Sequence, residues 1–509
     1  MKKLKIEKIK ELKMIRLQRV KVKINYFIIK SYFYFTVIVY FFKIFYSPTN
    51  KPFNFLQHLY FNGIFESNSD LMFKLFDLTL LLNGFPMGKA RKKLAVIVGV
   101  SEDKYTVFTD NAKNDIVQYH LANNPFYKDF IGNQPTNNWI DIPVMQKKDL
   151  QRPLAERLSK DFTLKNVYIN KTSGSSGAPF VFAKDKEYHA LIWANIMRKM
   201  QWHGINYNTS WQARFYGMPL DFMGKTKVRI KDFLSHRFRF NIFDSSDNAL
   251  EKVVEKFKTK KFFYINGYTS SIVLFAKYLQ KKDLILKEIC PNLRVCVVTS
   301  EMLFADDKIL LEKQFGVPVI NEYGSAELDI IALEDANGNW QVNAETIFVE
   351  ILDDNNRPME LGQEGKIVVT ALYNKAHPMI RYDVGDRGAL SESSTTKYPI
   401  LKKLTGRTND ITILPSGKIA SGMTFYSITK KLFDDEGNVK EFVIVQLKPD
   451  TFEIIYISDN PLTTIETENI KSAFSAFLEP GLTLILNRKK TLERTAAGKL
   501  KQFTSEVIS

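Results

Sequence analysis

The stretch Tyr168-Ile-Asn-Lys-Thr-Ser-Gly-Ser-Ser-Gly-Ala-Pro-Phe-Val-Phe182 decides how the rest of the chain is read. An apolar, β-branched approach runs into two glycines and four hydroxyl residues, then leaves through Pro179 as Phe-Val-Phe. That pattern is strand, loop, strand. Gly174 and Gly177 let the backbone turn and bring its amides close to a ligand, while Thr172, Ser173, Ser175 and Ser176 add short donors to the same concavity. Such a nest suits phosphate oxygens. A Walker loop needs Gly-Lys-Ser/Thr opening a helix; here Pro179 and a second strand follow, which disfavours a nucleotide kinase of that kind. Taken alone, the same composition also describes a flexible Gly/Ser hairpin.

Around this stretch lies a chain of 509 residues, long enough for two or more domains with substantial cores. Its hydrophobic content of 45% and aromatic content of 13% are those of a globular protein. The formal charge of +17 is unevenly placed. Residues 1–50 hold twelve lysines and arginines against Glu7 and Glu11, so +10 sits there and +7 on the remainder. That balance is ordinary for an enzyme handling anions, and no pattern of an RNA- or DNA-binding module occurs. Two cysteines, Cys290 and Cys296, cannot build a disulfide framework, which favours a reducing compartment. The six histidines are scattered and give no zinc spacing.

Residues 1–22 are basic, and residues 24–47 are rich in Phe, Tyr, Ile and Val. A membrane helix needs about 20 apolar residues. Lys30 and Lys43 bracket an uncharged run of only twelve. Three readings stand side by side: a single anchor with its basic flank inside, an interfacial segment, or translated upstream sequence ahead of a start near Met72. A cleaved signal fits less well, because no small-residue cleavage site follows.

From residue 72 the pattern changes. Helical spacing is expected over 73–82, 89–98 and 111–122, with a helical entry over 143–158. Beyond the hydroxyl loop, a helix over 185–199 and a strand over 211–216 precede a basic, irregular stretch, 225–243. Strands over 262–265, 293–298 and 317–321 then alternate with helices over 270–281 and 305–315. This alternation argues a parallel sheet covered by helices. Ligands of such sheets collect at the carboxyl ends of strands. Three candidate loops fall there: Asn266-Gly-Tyr-Thr269, Thr299-Ser-Glu-Met302 and Asn321-Glu-Tyr-Gly-Ser-Ala-Glu327. In the last, Tyr323 presents an aromatic face, Gly324 permits close approach, Ser325 offers a hydroxyl and Glu327 a hard oxygen for Mg²⁺. On its own this motif reads more readily as a solvated turn with a surface glutamate. Past residue 409 comes a hairpin over 411–419, a helix over 425–432, strands over 441–447 and 451–457, a helix over 464–478 and a last strand over 482–486.

Taken together, these pieces resemble the adenylate-forming superfamily, and most closely its phenylacetate–CoA ligase branch with the capsule-biosynthesis, CapK-like members. Thr172–Pro179 resembles the loop of form TSGTTGxP that grips ATP phosphates, and Tyr323–Glu327 the YGxTE-like motif for adenine and Mg²⁺. Arg381-Tyr-Asp-Val-Gly-Asp386 resembles the motif whose final aspartate, here Asp386, binds the ribose hydroxyls. Leu404-Thr-Gly-Arg-Thr-Asn-Asp410 resembles the hinge motif, which places Arg407 on the ribose and phosphate side and Asn409 and Asp410 at the pivot. Glu493-Arg-Thr-Ala-Ala-Gly-Lys499 resembles the terminal loop whose lysine, here Lys499, swings in to stabilise the adenylation transition state. Ser300, Glu301 and Glu322, at neighbouring strand ends, join the nucleotide-binding set.

The resemblance covers about residues 75–503 and implies an α/β fold. A large domain with mostly parallel sheets would span 72–408, and a small mobile α+β domain 409–509, behind an extension of residues 1–71. It also implies a cytoplasmic protein, at the inner face of a membrane if residues 1–71 belong to it. The implied reaction activates a carboxylic acid with ATP and Mg²⁺, releases pyrophosphate and passes the acyl group to a thiol, that of CoA in this branch. Three departures stand out: Ala326 replaces a hydroxyl residue, Asn409 replaces the first hinge aspartate, and serines replace the loop threonines. Two other outcomes stay open, an adenylyltransferase leaving AMP on a non-CoA acceptor and a non-catalytic member of a polysaccharide assembly. Aromatics at Trp211, Phe215, Tyr216, Tyr264 and Tyr268 suit either an aryl or medium acyl pocket or a core.

Overall fold

In the computed structural model, the described residues are 75–172, 180–217, 228–229, 231–241, 246–407, 411–417, 419–421, 439–477, 479–494 and 500–507. Residues 1–71, the loop residues 173–179, the hinge residues 409 and 410, the helix expected over 425–432 and Lys499 lie outside them. The described residues all belong to one compact unit, Lys74–Ser509.

Four helices open the described chain: α1 (Leu75–Leu82), α2 (Met87–Gly99), α3 (Glu102–Asn123) and α4 (Pro125–Ile131). Asn124 caps α4 by accepting the Tyr127 amide at 2.8 Å, with Pro125 at the first helical position where no amide is needed. The helical entry expected over 143–158 is mostly irregular, with two short helical turns at Lys147–Leu150 and Leu154–Arg157. There the chain instead bridges Met145 to Tyr382.

Strands β1 (Tyr168–Lys171) and β2 (Val181–Lys184) form an antiparallel hairpin around the hydroxyl loop. Helix α5 (Lys186–Met200) follows, capped by Asp185, which accepts from the Tyr188 amide at 2.8 Å. The central sheet holds β3 (Gln212–Phe215), β4 (Arg237–Phe240), β5 (Tyr264–Tyr268), β6 (Val295–Thr299), β7 (Val319–Ser325), β8 (Asp329–Glu334) and β9 (Trp340–Val342). The order is β4-β3-β5-β6-β7-β8-β9, parallel through β7 and antiparallel after it. Val-Cys-Val-Val-Thr of β6 is buried throughout, as a strand covered on both faces must be.

Helices α6 (Asp247–Thr259), α7 (Thr269–Lys281) and α8 (Ala305–Phe315) cover one face. Leu250, Val253, Val254 and Phe257 recur at helical spacing on α6 and join the core under that face. α2 and α5 pack together over the other face. A four-stranded antiparallel sheet, β10 (Ile347–Leu352), β11 (Gly365–Ala371), β12 (Tyr382–Leu390) and β13 (Leu401–Arg407), adds its apolar residues to that second core.

The smaller domain begins with the hairpin β14 (Ile411–Ile413) and β15 (Ile419–Ser421). Strands β16 (Val439–Lys448), β17 (Thr451–Ser458), β18 (Thr483–Arg488) and β19 (Phe503–Ser505) make a sheet ordered β18-β17-β16-β19, which shares a separate core with helix α9 (Thr464–Phe477). The strand over 482–486 is therefore not the last; β19 returns beside β16 in parallel. A second correction concerns the stretch 225–243, read as irregular. Its Arg-Phe-Arg-Phe is edge strand β4, with the phenylalanines toward one core and the arginines on the other face.

Candidate active site

The Asn321–Glu327 segment, expected as a loop, is the end of β7 and a tight hairpin into β8. Gly324 lies in the strand because a Cβ there would stand 2.2 Å from the Asp329 carbonyl oxygen. Tyr323 leaves the sheet toward β12, and its hydroxyl donates to Asp386 Oδ2 at 2.8 Å. Asp386 in turn sits directly across the β12–β13 ladder from Arg407, and a bulge after Arg387 re-aims the strand there. Gly385, inside β12, takes a left-handed φ of +80° just before it. Two motifs 63 residues apart thus meet at one point, and a third contributes the facing backbone.

Glu327 is buried and accepts from the Tyr382 hydroxyl at 3.1 Å. Ser325 Oγ accepts the Leu328 amide at 3.2 Å and so closes the hairpin turn. Among the described residues no three His, Cys, Asp or Glu side chains gather around a common point. Mg²⁺ held through one or two carboxylates plus substrate phosphates does not need such a cage, so Glu327 fits that mode.

At the adjoining strand ends, Thr299 Oγ1 donates to Glu322 Oε1 at 2.9 Å, and burial raises the Glu322 carboxyl to about 6 against the opposing pull of Thr299 and Arg214. Ser300 takes a left-handed φ of +71°, a strained turn for a residue with a Cβ. It delivers Glu301, whose Oε2 accepts the Ser270 amide at 2.7 Å and whose Oε1 accepts the Leu500 amide at 3.2 Å. Burial pushes this carboxyl up, and those amides pull it down. Glu301 therefore joins the head of α7 to the residue that follows Lys499.

Thr172 closes the neck of the hydroxyl loop: its amide donates to Phe180 O at 2.9 Å, and its Oγ1 accepts the Phe180 amide at 3.0 Å. Ser173, Gly174, Ser175, Ser176 and Gly177 lie outside the described residues. So do Asn409, Asp410 and Lys499, although Arg494 and Leu500 bridge one another at the neck of the terminal loop.

Sequence reasoning missed Lys184. This fully buried lysine at the end of β2 ion-pairs with Asp329 and reaches Ala326 O at 3.5 Å, tying the hydroxyl hairpin to the β7–β8 turn. Tyr382 lies inside the 381–386 motif, which assigns it no role of its own. Among the expected pocket aromatics, Phe215 packs against Phe240 and Phe275 in the opposite core, whereas Tyr216 donates to Asn266 Oδ1 at 3.1 Å on the site's side of the sheet.

No family model matches the chain. Protein CapK of Staphylococcus aureus is 24% identical over 322 residues, 58% of this chain and 66% of that protein's length. Two solved structures of a 2-hydroxyisobutyryl-CoA ligase in its postadenylation state, holding the acyl-AMPs R3-HIB-AMP and 2-HIB-AMP, superpose with a TM-score of 0.62 at 18% identity. They cover 80% of this chain and 90% of theirs. The fold is that of the adenylate-forming ligases. An open form of the same enzyme, with 2-HIB-AMP and CoA, matches with a TM-score of 0.51 at 17% identity. Among the described residues, the Tyr323–Asp386, Tyr382–Glu327, Lys184–Asp329 and Glu301–Leu500 contacts draw these candidate segments together.

Proposed function

We propose that the chain adenylates a carboxylic acid with ATP and then transfers the acyl group to a thiol, that of CoA. The observation that carries this reading is the Tyr323–Asp386 hydrogen bond, which brings an aromatic face and a diol acceptor to one strand end, where the backbone of Arg407 pairs across the ladder from Asp386. A carboxylate oxygen of the substrate attacks the α-phosphorus of ATP. The new bond is the acyl phosphate, the bond to the β-phosphate breaks, and pyrophosphate leaves. The thiol then attacks the acyl carbonyl and AMP departs.

In this reading Thr172 and the loop residues 173–177 hold the β- and γ-phosphates. Tyr323 and Gly324 flank adenine, Asp386 accepts the ribose hydroxyls, and Arg407 and Lys499 meet charge at the α-phosphate. Glu327 would hold Mg²⁺ together with the bound phosphates, and the ion would supply charge neutralisation there. Glu322 buttresses the strand end through Thr299, and Glu301 steadies the terminal loop through Leu500. A large domain over 72–408 and a small one over 409–509 rotate about Asn409 and Asp410 between the two steps. The substrate is a small acid, ATP and CoA place the protein in the cytoplasm, and CapK's likeness points toward polysaccharide synthesis. Both cysteines are buried free thiols, in keeping with that compartment. Among the described residues no helix is long and apolar enough to cross a membrane.

Pyrophosphate exchange across a panel of carboxylic acids, with Lys499→Ala as control, tests the first step. Exchange that the control abolishes is the expected result; silence with every acid sinks the reading. Mass spectrometry of the products then tests the acceptor: an acyl-CoA is expected, and AMP retained on another acceptor replaces CoA with that acceptor.

A further inference from the structure

In the parallel ladder, Arg237 pairs with Gln212 and Arg239 with Arg214, and Arg214 pairs with Asn266 of β5. Strand alternation therefore puts all three arginines on the face shared with Thr299 and Glu322, with Arg237 opening β4 at its amino end and Arg214 and Arg239 one same-face position nearer the carboxyl ends. The opposite face at these positions is apolar, with Ala213, Phe215 and Phe240 in its core.

The three guanidinium groups are not equivalent. Arg239 is neutralised: Nε and a terminal nitrogen reach the two oxygens of Asp232 at 2.9 and 3.2 Å, and its other terminal nitrogen donates to Gly217 O at 2.9 Å. Among the described residues Arg214 donates once, to Gln212 Oε1 at 3.2 Å, with its guanidinium carbon 4.0 Å from the Tyr216 ring centre. Arg237 lies over the Phe76 ring at 5.8 Å and makes no hydrogen bond to a described residue. The Nε atoms of both Arg214 and Arg237 are buried without a partner among the described residues. Lys231 faces the same pair, and burial together with Arg237 and Arg214 pushes its ammonium pKa down. The described acids opposite are Asp232, already taken by Arg239, and Glu322, bonded to Thr299.

Two half-buried guanidinium groups side by side, each with an idle buried donor, are costly unless an anion completes them. Their planar forks suit an oxyanion that accepts two bonds at once. Across the sheet, three strand spacings separate β3, which carries Arg214, from β7, and four separate β4, which carries Arg237, about 14 and 19 Å at ~4.8 Å each. An acid activated at the β7 end would present its far end, rather than its reacting carboxylate, to this pair.

We propose that Arg214 and Arg237 form a subsite for a second anionic oxyacid group on the substrate, so that the chain selects acids bearing a further carboxylate or phosphate over simple monoacids. The proposal rests on the adenylation reading and narrows its substrate class.

The test is pyrophosphate exchange by the full chain with matched probes: succinate against butyrate, glutarate against valerate, and 3-phosphoglycerate against glycerate. The doubly anionic member of at least one pair should show a kcat/KM higher by on the order of 10- to 100-fold, the range of hydrogen bonds to a charged group. The responding pair tells carboxylate from phosphate. Arg214→Gln and Arg237→Gln should each lower the ratio within that pair, and Arg237→Lys should restore part of it, which a merely structural role would not do. Monoacids turning over as well as their partners overturn this inference alone. Variants that raise the KM for ATP equally with every acid also overturn it, assigning the arginines to the nucleotide. Silence with every acid overturns the adenylation reading, and this inference with it.

Discussion

Beneath the hydroxyl hairpin and at the β3–β4 edge, the large domain buries arginines on opposite terms. Arg157 is 2% exposed, and each of its three nitrogens has a partner: Arg152 O at 2.9 Å, Val181 O at 2.7 Å and His377 Nε2 at 2.5 Å. To accept from a guanidinium, His377 must be neutral with its proton on Nδ1. Burial, Arg157 and His120 all push its pKa down, in agreement. Around this pair, Asn374 donates to Ala183 O at 3.0 Å and accepts the Asp185 amide at 3.2 Å, so β2 is held along its length. Arg214 and Arg237 leave buried donors idle instead. A cation satisfied by its own chain completes a structure; one left unsatisfied beside a site points to a ligand.

The sharpest way to break this comparison is Arg157→Met. It strands Val181 O, Arg152 O and His377 in a buried setting, where each lost partner costs about 1–3 kcal/mol. A stability loss of about 3 kcal/mol is expected in urea denaturation. Activity should fall as well, because β2 carries the hydroxyl loop. A loss below about 1 kcal/mol would show that the network is not a clamp.

A smaller effect comes from Glu322. Its carboxyl titrates near 6 in the folded chain against an ordinary 4.5, because burial penalises its charge. The native state then holds the proton more tightly than the unfolded one. The stability this lends is complete below pH 4.5 and is lost as pH rises through about 6. The change is at most about 2 kcal/mol. Denaturation curves at pH 5 and pH 8 should show it, and Glu322→Gln should flatten the difference and stabilise the chain at pH 8. An unchanged slope in the variant would remove Glu322 as its source.

Much of this architecture was legible in the residues. Helix α8 spans the residues its spacing predicts, and β5, β6 and β7 follow in the expected alternation. What stayed hidden shares a physical cause. Lys184 and Asp329 are 145 residues apart, and Arg157 and His377 are 220 apart, so no local period marks either contact. Strand β4 lies in the stretch 225–243, whose basic run reads as irregular, although Arg-Phe-Arg-Phe alternates with the period of a strand. Gly324 lowered the strand propensity of the β7 end, yet the strand needs glycine there for the approach of Asp329 O. The motif residues Tyr323 and Asp386 were recognisable by type and order; that one donates to the other required the folded sheet.

The smallest expected effect is the most telling, since it sets a near-zero change against the large loss of the first. Arg214 lies close enough to Arg237 for the two charges to repel, and that repulsion adds to burial in lowering the Arg237 pKa. Arg214→Gln removes one of two like charges while keeping a polar head that can still meet Gln212. It gives up the attraction of Arg214 for Glu322, so the Glu322 midpoint should move above 6. Relief of the repulsion and loss of that attraction oppose one another. The net stability change should therefore lie within about 1 kcal/mol of zero, where Arg157→Met costs about 3. A loss as large as that of Arg157→Met would make Arg214 a structural cation like Arg157. A near-zero change together with an upward shift of the pH midpoint would leave it as a charge held ready beside Glu322.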